Sequence, residues 1–527
     1  MLIPAVLAGC ATSKTEPISP AEVASASARD IKQLYGEAEP LNHPLTLDEA
    51  IARALKYNLD TRVKVMEQAL AQDQWDVSRY DLLPKMVADA GYTNRNNDLI
   101  TRSVDSVTGA PSLADPYISS SRDVWEQDLS FSWSLLDFGQ SYYMGRVNSD
   151  RVLVAEEHRL KAEYQLISDV RTSFWRVASA QKLQARVNAT IADARAALDM
   201  SRKVEASRLS NPLDQLRYQR QLLENLRLLE AVNQELSSAR IDLALLTRLP
   251  FNSDFTVVEP STDIKPWWRD VPAEKLEEQA IARNPDLHES FYNVRIATAE
   301  ARRDLLKMFP GLSFSYGFHH SNDSYLINQS WHGAGLQLSV NLLQGLLTLP
   351  AQERIGQAGI ALADKQRLAT TMSVLAQVHI AELNLDNAWR QYQRADSIWK
   401  VDRDIAVQVA NRATAQVQSP LDGIANQTSA ILSELRRYQA MALVQASASK
   451  LQATLGVNPD VGGQRDMTVS QLTQRVSDAL NRWEAGDVFD AVPPANAQTG
   501  ASTTGAAPAT AWEQHRVLTA TTAVAAK

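Results

Sequence analysis

Apolar and polar positions alternate in four short stretches of this chain and recur every three to four residues through most of the rest. In 311–319, Leu312, Phe314, Tyr316 and Phe318 share one face, and Ser313, Ser315, Gly317 and His319 share the other. In 335–342, Leu336, Leu338, Val340 and Leu342 oppose Gly335, Gln337, Ser339 and Asn341. In 126–135, Leu129, Phe131, Trp133 and Leu135 oppose Glu126, Asp128, Ser130, Ser132 and Ser134, and 86–93 alternates more weakly. A period of two predicts strands, over about 85–95, 124–136, 311–319 and 331–343. Each pair is joined by a polar, turn-rich segment, about 94–123 and 319–330.

Helices fill the remainder. Residues 46–82 hold no internal Gly or Pro and predict a helix that Thr46 caps, with Glu49 completing a capping box and Pro84 closing it. A second helix, about 274–309, ends likewise before Pro310. Residues 140–210, with one glycine and no proline, predict a single helix of roughly 100 Å. Its counterpart runs about 347–418, after Pro350. Each resumes after a proline as a further helix. In the last, Leu421, Ile424, Thr428, Ile431, Leu435 and Tyr438, then Met441, Val444, Ala448, Leu451 and Leu455, step by three and four as a coiled-coil seam.

The plan is written twice. Leu83-Pro84 with Gly91 recurs 226 positions later as Phe309-Pro310 with Gly317, and Ala54–Asp60 matches Ala280–Asp286 at the same offset. Asn211-Pro212-Leu213-Asp214 recurs as Ser419-Pro420-Leu421-Asp422 at offset 208, and Leu246–Pro250 as Leu455–Pro459 at 209. One internal loop is shorter in the second copy. The expected organisation is a first repeat over 45–250, a connector over 251–273, a second repeat over 274–460, a C-terminal helix within 461–484 and a disordered Ala/Thr/Gly/Pro tail over 485–527.

Composition narrows the setting. The formal net charge of −8, with no basic block, argues against nucleic acid. No apolar run reaches 18 residues, so no membrane-spanning helix is expected, although barrel strands remain open. The one cysteine, Cys10, rules out an internal disulfide. Leu7-Ala8-Gly9-Cys10 looks like a bacterial lipoprotein cleavage site: residues 1–9 as the end of a signal peptide, Cys10 lipidated, and 10–44 as a tethered linker. A free thiol near a frayed terminus is the other reading.

Half-apolar strands more commonly form a soluble antiparallel sheet packed on helices, and alternation alone does not exclude that. Here, however, the helices look committed to one another. Phe131, Trp133, Phe314, Tyr316, Phe318, Leu336 and Leu338 would then face lipid, with small polar residues facing water. Four strands cannot close a barrel, and an open edge in hydrocarbon costs several kcal/mol per unpaired group. On this reading several chains must share one barrel, and the long helices prolong it as a tube.

The order helix–Pro–strand–loop–strand–Gly–long helix, twice, resembles the TolC family of outer-membrane efflux proteins. The motifs are Leu45-Thr46-Leu47-Asp48-Glu49-Ala50 with Ala54-Leu55 and Asn58, Leu83-Pro84, Leu136-Asp137-Phe138-Gly139, and Leu455-Gly456, spread over about 45–460. The resemblance implies a mainly α fold with a membrane β-barrel portion. It implies a homotrimer with a 12-stranded barrel in the outer membrane of a Gram-negative bacterium and a 12-helix periplasmic tube. It further implies a passive export duct that works with a periplasmic adaptor and an inner-membrane pump or ABC transporter, in tripartite efflux or type I secretion. Cys10 fits the lipoprotein branch. Acidic residues at the tube's periplasmic entrance would be Asp422 and Asp214. Both aspartates equally read as first-turn residues after an N-cap and an N1 proline. A tip glycine expected before the aspartate is missing, with Arg208 and Gln416 near that place.

Enzymatic chemistry finds no support, since HExxH, GxxxxGK[ST], GxSxG and GxGxxG are all absent. Histidines are scattered, His319-His320 reads as a solvated pair, and no cofactor or metal is expected. The alternative function is a soluble periplasmic coiled-coil scaffold or adaptor without a pore.

Overall fold

The structure, a computed structural model, describes residues 17–36, 38–101, 104–111, 117–207, 211–259, 261, 264–414, 420–457, 467–487 and 489. Cys10, the leader, residues 208–210 and 415–419, and most of the tail lie outside the described residues.

After α1 (Pro20–Gly36), the first repeat runs α2 (Leu47–Tyr57), α3 (Leu59–Tyr80), β1 (Lys85–Asn94), β2 (Ile100–Thr101), β3 (Tyr117–Ile118), β4 (Asp123–Ser134), α4 (Leu135–Ala206) and α5 (Pro212–Thr247). The second runs α6 (Ala273–Arg283), α7 (Pro285–Leu306), β5 (Gly311–Ser321), β6 (Ser330–Ser339), α8 (Leu342–Thr414) and α9 (Pro420–Thr454), followed by α10 (Val469–Ala485).

The expected single helix over 46–82 is two. Asn58 leaves the helical conformation at ψ 132°, and its Oδ1 accepts the Thr61 N–H to start α3. Asn284 does the same for Leu287, with Pro285 in the first turn of α7. Thr46 caps α2 by accepting the Glu49 N–H. The Glu49 carboxylate lies near His43 and Arg53. The polar loop over 94–123 carries a short ribbon, β2 with β3.

The two strand-to-helix junctions come earlier than the alternation suggests. Ser134 ends β4 and caps α4, its Oγ accepting the Asp137 N–H. Leu135 is therefore helical. β6 ends at Ser339, and α8 starts at Leu342 and runs through Pro350. A helical proline forfeits one backbone bond. Close packing of α8 on α7 supports this stretch: a Cβ at Gly356 would lie 3.1 Å from Ala301 Cβ.

α4 and α8, of 72 and 73 residues, are each about 110 Å long. Near the sheet, α3 packs on α4, α4 on α7 and α7 on α8. Farther away, α5 and α9 replace α3 and α7, giving the order α5–α4–α9–α8. The α9 seam is buried from Ile424 to Leu455 as the spacing requires. Midway, α2, α6 and α10 add a belt whose core holds Phe174, Trp175, Leu276, Leu472, Val476 and Trp483.

Both repeats end alike. After α5 the left-handed residue is Arg248 (φ 56°), and after α9 it is Gly456 (φ 66°), 208 positions on. Leu249 N–H then reaches back to Ala244, and Val457 N–H to Gln452, closing the same cap. The structural offset here is thus 208, matching Pro212 and Pro420, rather than the 209 read from the flanking leucines.

Candidate functional site

β1, β4, β5 and β6 form one antiparallel sheet in that order. Directly opposed residues share a face. The register therefore sorts every strand residue. One face stacks Met86, Phe131, Tyr316 and Ala334 in a row, with Trp133, Phe314 and Leu336 beside it. Leu312 with Leu338 lies on one side of these rows, and Ala88, Leu129, Phe318 and His332 on the other. All seven residues expected to face lipid, namely Phe131, Trp133, Phe314, Tyr316, Phe318, Leu336 and Leu338, lie on this face and are exposed in the single chain. Apolar side chains held in water like this need a cover.

Farther along the same face, Tyr92 packs on Trp125 at 4.9 Å. At the helix end, Trp133 packs on Phe138 at 5.8 Å. Aromatic pairs thus flank the apolar rows at both ends, as membrane interfaces favour. The four apolar rows, from Leu312 to Leu129, span about 20 Å of strand, or roughly 16 Å of height at a barrel tilt near 40°. The next row on this face, Ala90, Gln127, His320 and Ser330, is polar, and the Tyr92–Trp125 pair lies beyond it.

The opposite face is polar and small. It carries Ser130, Ser132, Ser313, Ser315, Gly317, Gly333, Gly335 and Gln337, with Asp89, Glu126 and Asp128 toward the loops. His319 and His320 are not a pair. They point to opposite faces, His319 to Asp128 and His320 to the Ser330 hydroxyl.

The loops beyond the strands are tied together by Asp323. Its carboxylate accepts from the Ser120 hydroxyl at 2.7 Å, and from the Ser121 amide and hydroxyl, each at 3.0 Å. The Tyr325 amide adds a bond at 3.1 Å. Burial pushes this carboxyl up, but the hydrogen bonds outweigh it and hold it at about 2. Arg122 forms a bidentate pair with Asp98 nearby.

Far from the sheet, α5 and α9 begin side by side. Asn211 Oδ1 accepts the Leu213 N–H, and Asp214 sits 3.9 Å from Arg217. Asp422 is exposed in the first turn of α9. Burial, and then the charge of Asp422, raise the Tyr218 hydroxyl above its ordinary value, so the two helix starts share one electrostatic neighbourhood. Between α4, α5 and α9 lies a cleft of about 540 Å³, lined by Ala197, Met200, Tyr218 and Ile424 among others.

Three levels of the molecule end in open edges, and in the same order. The sheet is open at β1 and β6, the near wall at α3 and α8, and the far wall at α5 and α8. These helix edges carry exposed apolar stripes at coiled-coil spacing. On α3 they are Val63, Met66, Leu70, Val77 and Tyr80, and on α8 Ile355, Leu362, Met372, Ile380, Ile398, Val401 and Ile405. The first set was not singled out in the sequence, although its 3–4 spacing was visible.

Several solved structures share this architecture. The Campylobacter jejuni CmeC outer membrane channel is 12% identical, covering 82% of this chain and 89% of that one, with a TM-score of 0.61. A membrane protein from Pseudomonas aeruginosa is 17% identical, covering 78% and 93%, at 0.59. The open state of the Neisseria gonorrhoeae MtrE outer membrane channel is 16% identical, covering 78% and 88%, at 0.57. No protein-family model and no curated protein sequence matches the chain. At these identities the likeness establishes the fold, which is the TolC-like one that the repeated motifs implied.

Proposed function

We propose that three copies of this chain close head to tail into an export channel of the outer membrane, with the helical tube in the periplasm. The observation that carries this is the agreement of the three open edges. One rotation brings β1 of one copy to β6 of the next, α3 to α8 near the sheet, and α5 to α8 farther away. In hydrocarbon the two sheet edges require such partners, because unpaired backbone groups cost several kcal/mol each. Twelve strands then enclose a lumen lined by the polar face, while Phe131, Trp133, Phe314, Tyr316, Phe318, Leu336 and Leu338 meet lipid.

The channel acts as the passive exit duct of a tripartite efflux pump or type I secretion system, opened by a periplasmic adaptor and an inner-membrane pump or ABC transporter. Asp214 and Asp422 lie at its periplasmic entrance, where the two helix starts meet. Cys10 carries a lipid that supplements the barrel as an anchor, since one chain alone binds membranes weakly. The likeness to the outer membrane channels CmeC and MtrE supports this reading.

The deciding experiment extracts the full chain from membranes and weighs it. Detergent should be required, and native mass spectrometry should give three chains per particle. Release by salt alone, with a monomer or dimer in buffer, would favour the pore-less scaffold. Separately, radiolabelled palmitate should enter the wild type and not Cys10→Ser.

A further inference from the structure

One register row crosses all four strands as Asp89, Asp128, His319 and Trp331. All four lie on the polar face. Among its serines and glycines Trp331 is out of pattern, with 43% of its surface exposed. The indole stacks on His319, with ring centroids 5.3 Å apart and planes 20° from parallel. His319 Nδ1–H in turn donates to Asp128 Oδ1 at 2.5 Å. The ring lies along its own strand above Gly317, where a Cβ would stand 2.6 Å from Nε2. Asp89 directly opposes Asp128, and Glu126 stands one row farther out, opposite Gly91. Opposed carboxylates in a strand pair repel, so local stability does not account for the row.

We propose that this row is a contact site for organic cations passing through the lumen, an inference that rests on the channel reading above. An indole face beside carboxylates suits a cation carrying an apolar or aromatic part. The ring takes the cation by its quadrupole, and Asp89 and Asp128 supply counter-charge. His319 is a positioning residue that holds both the indole and Asp128 in place. In the closed barrel the row occurs three times around the passage. An anion of the same shape meets only repulsion.

The test uses the full-length protein in planar lipid bilayers, with benzyltrimethylammonium and benzenesulfonate as probes of similar shape and opposite charge. In the wild type the cation should depress the current in a voltage-dependent way, and the anion at equal concentration should not. Trp331→Ala should weaken the block about fivefold or more, and the Asp89→Asn/Asp128→Asn pair at least as much. Trp331→Phe should retain most of it, and Ser130→Ala, one row inward on the same face, all of it. Equal block by both probes overturns the proposal and leaves the channel standing, as does an unchanged block in folded, trimeric Trp331→Ala. A wild type that leaves membranes without detergent and is a monomer or dimer in buffer overturns the channel reading, and this site with it.

Discussion

Placing an arginine on the apolar face of the sheet isolates the membrane reading from every other feature of the fold. Phe314 lies in a row with Trp133 and Leu336, and this row and the Phe131 row are the inner two of the four apolar rows. An arginine near the bilayer midplane of a barrel costs about 2–4 kcal/mol, falling to about 0–1 at the interface. Three copies bring Phe314→Arg to about 6–12 kcal/mol per closed barrel, comparable with the whole stability of a domain. Tyr92→Arg, in the aromatic row at the far end of β1, should cost a small fraction of that. Ser132→Arg falls between Phe131 and Trp133 in sequence but on the polar face, and should be tolerated.

Trimer yield on mild-SDS electrophoresis, followed by urea unfolding in vesicles, reads this series directly. The expected order of assembly is Ser132→Arg near wild type, Tyr92→Arg slightly impaired and Phe314→Arg largely unassembled. Indistinguishable behaviour of Phe314→Arg and Ser132→Arg would refute the assignment of faces. A soluble sheet packed on a partner would also be damaged by Phe314→Arg, but it would show no gradient from Phe314 to Tyr92. That gradient is the part of the result only a bilayer produces.

Three further outcomes are expected. Gly456→Ala places a side chain in the left-handed region with its Cβ against the Arg283 carbonyl oxygen, so α6 must move; the loss should be at least about 1–3 kcal/mol by thermal or urea unfolding, and an unchanged midpoint would contradict the cap. His288 donates to Glu157 at 3.1 Å, which raises its imidazole against the opposing effect of burial; the Ala282 carbonyl, 3.0 Å away, adds to the rise. This stability is complete below the unfolded value and is lost as pH rises through the folded one, so the gap in thermal midpoint between wild type and His288→Gln should shrink from pH 5.5 to pH 9, and a widening gap would count against the pairing. Asp323, held at about 2, contributes above the ordinary carboxyl range and loses its contribution as pH falls through about 2; Asp323→Ala should cut hydrogen-exchange protection at the Ser121 and Tyr325 amides about tenfold at neutral pH.

The sequence spoke most clearly where one period ruled a whole element. The α9 seam could be read because its partner surfaces on α8 and α4 lie within the same chain, so the stripe from Ile424 to Leu455 is buried as written. The strand faces could be read because the register keeps Phe131, Tyr316 and Phe314 on one side, with Trp331 the aromatic that falls on the other. Breaks were harder. Asn58 and Asn284 sit inside good helix-forming sequence, and only their capping geometry reveals the turn between two helices. Pro350 misled in the other direction, since tertiary packing against α7 keeps α8 helical through a residue that local propensity would use as a boundary.

The exposed stripes carry a different lesson about what one chain can specify. A coiled-coil pattern declares that a helix needs a neighbour, not which molecule supplies it. Met66 and Leu70 on α3, and Leu362 and Met372 on α8, obey the same spacing as the buried α9 seam yet stay exposed. The distinction comes from position in the fold. α3 and α5 belong to the first repeat and α8 to the second, and duplication places them at opposite ends of each layer. Two tandem copies in one chain join through α4 with α7 and α4 with α9. The pairing of second repeat to first repeat can recur only between chains. A duplicated half with one donor edge and one acceptor edge therefore leaves one of each unsatisfied, whatever the number of copies in tandem. In the proposed trimer, closure of the ring would remove both, and the sheet and both helical walls would reach that condition through the same rotation.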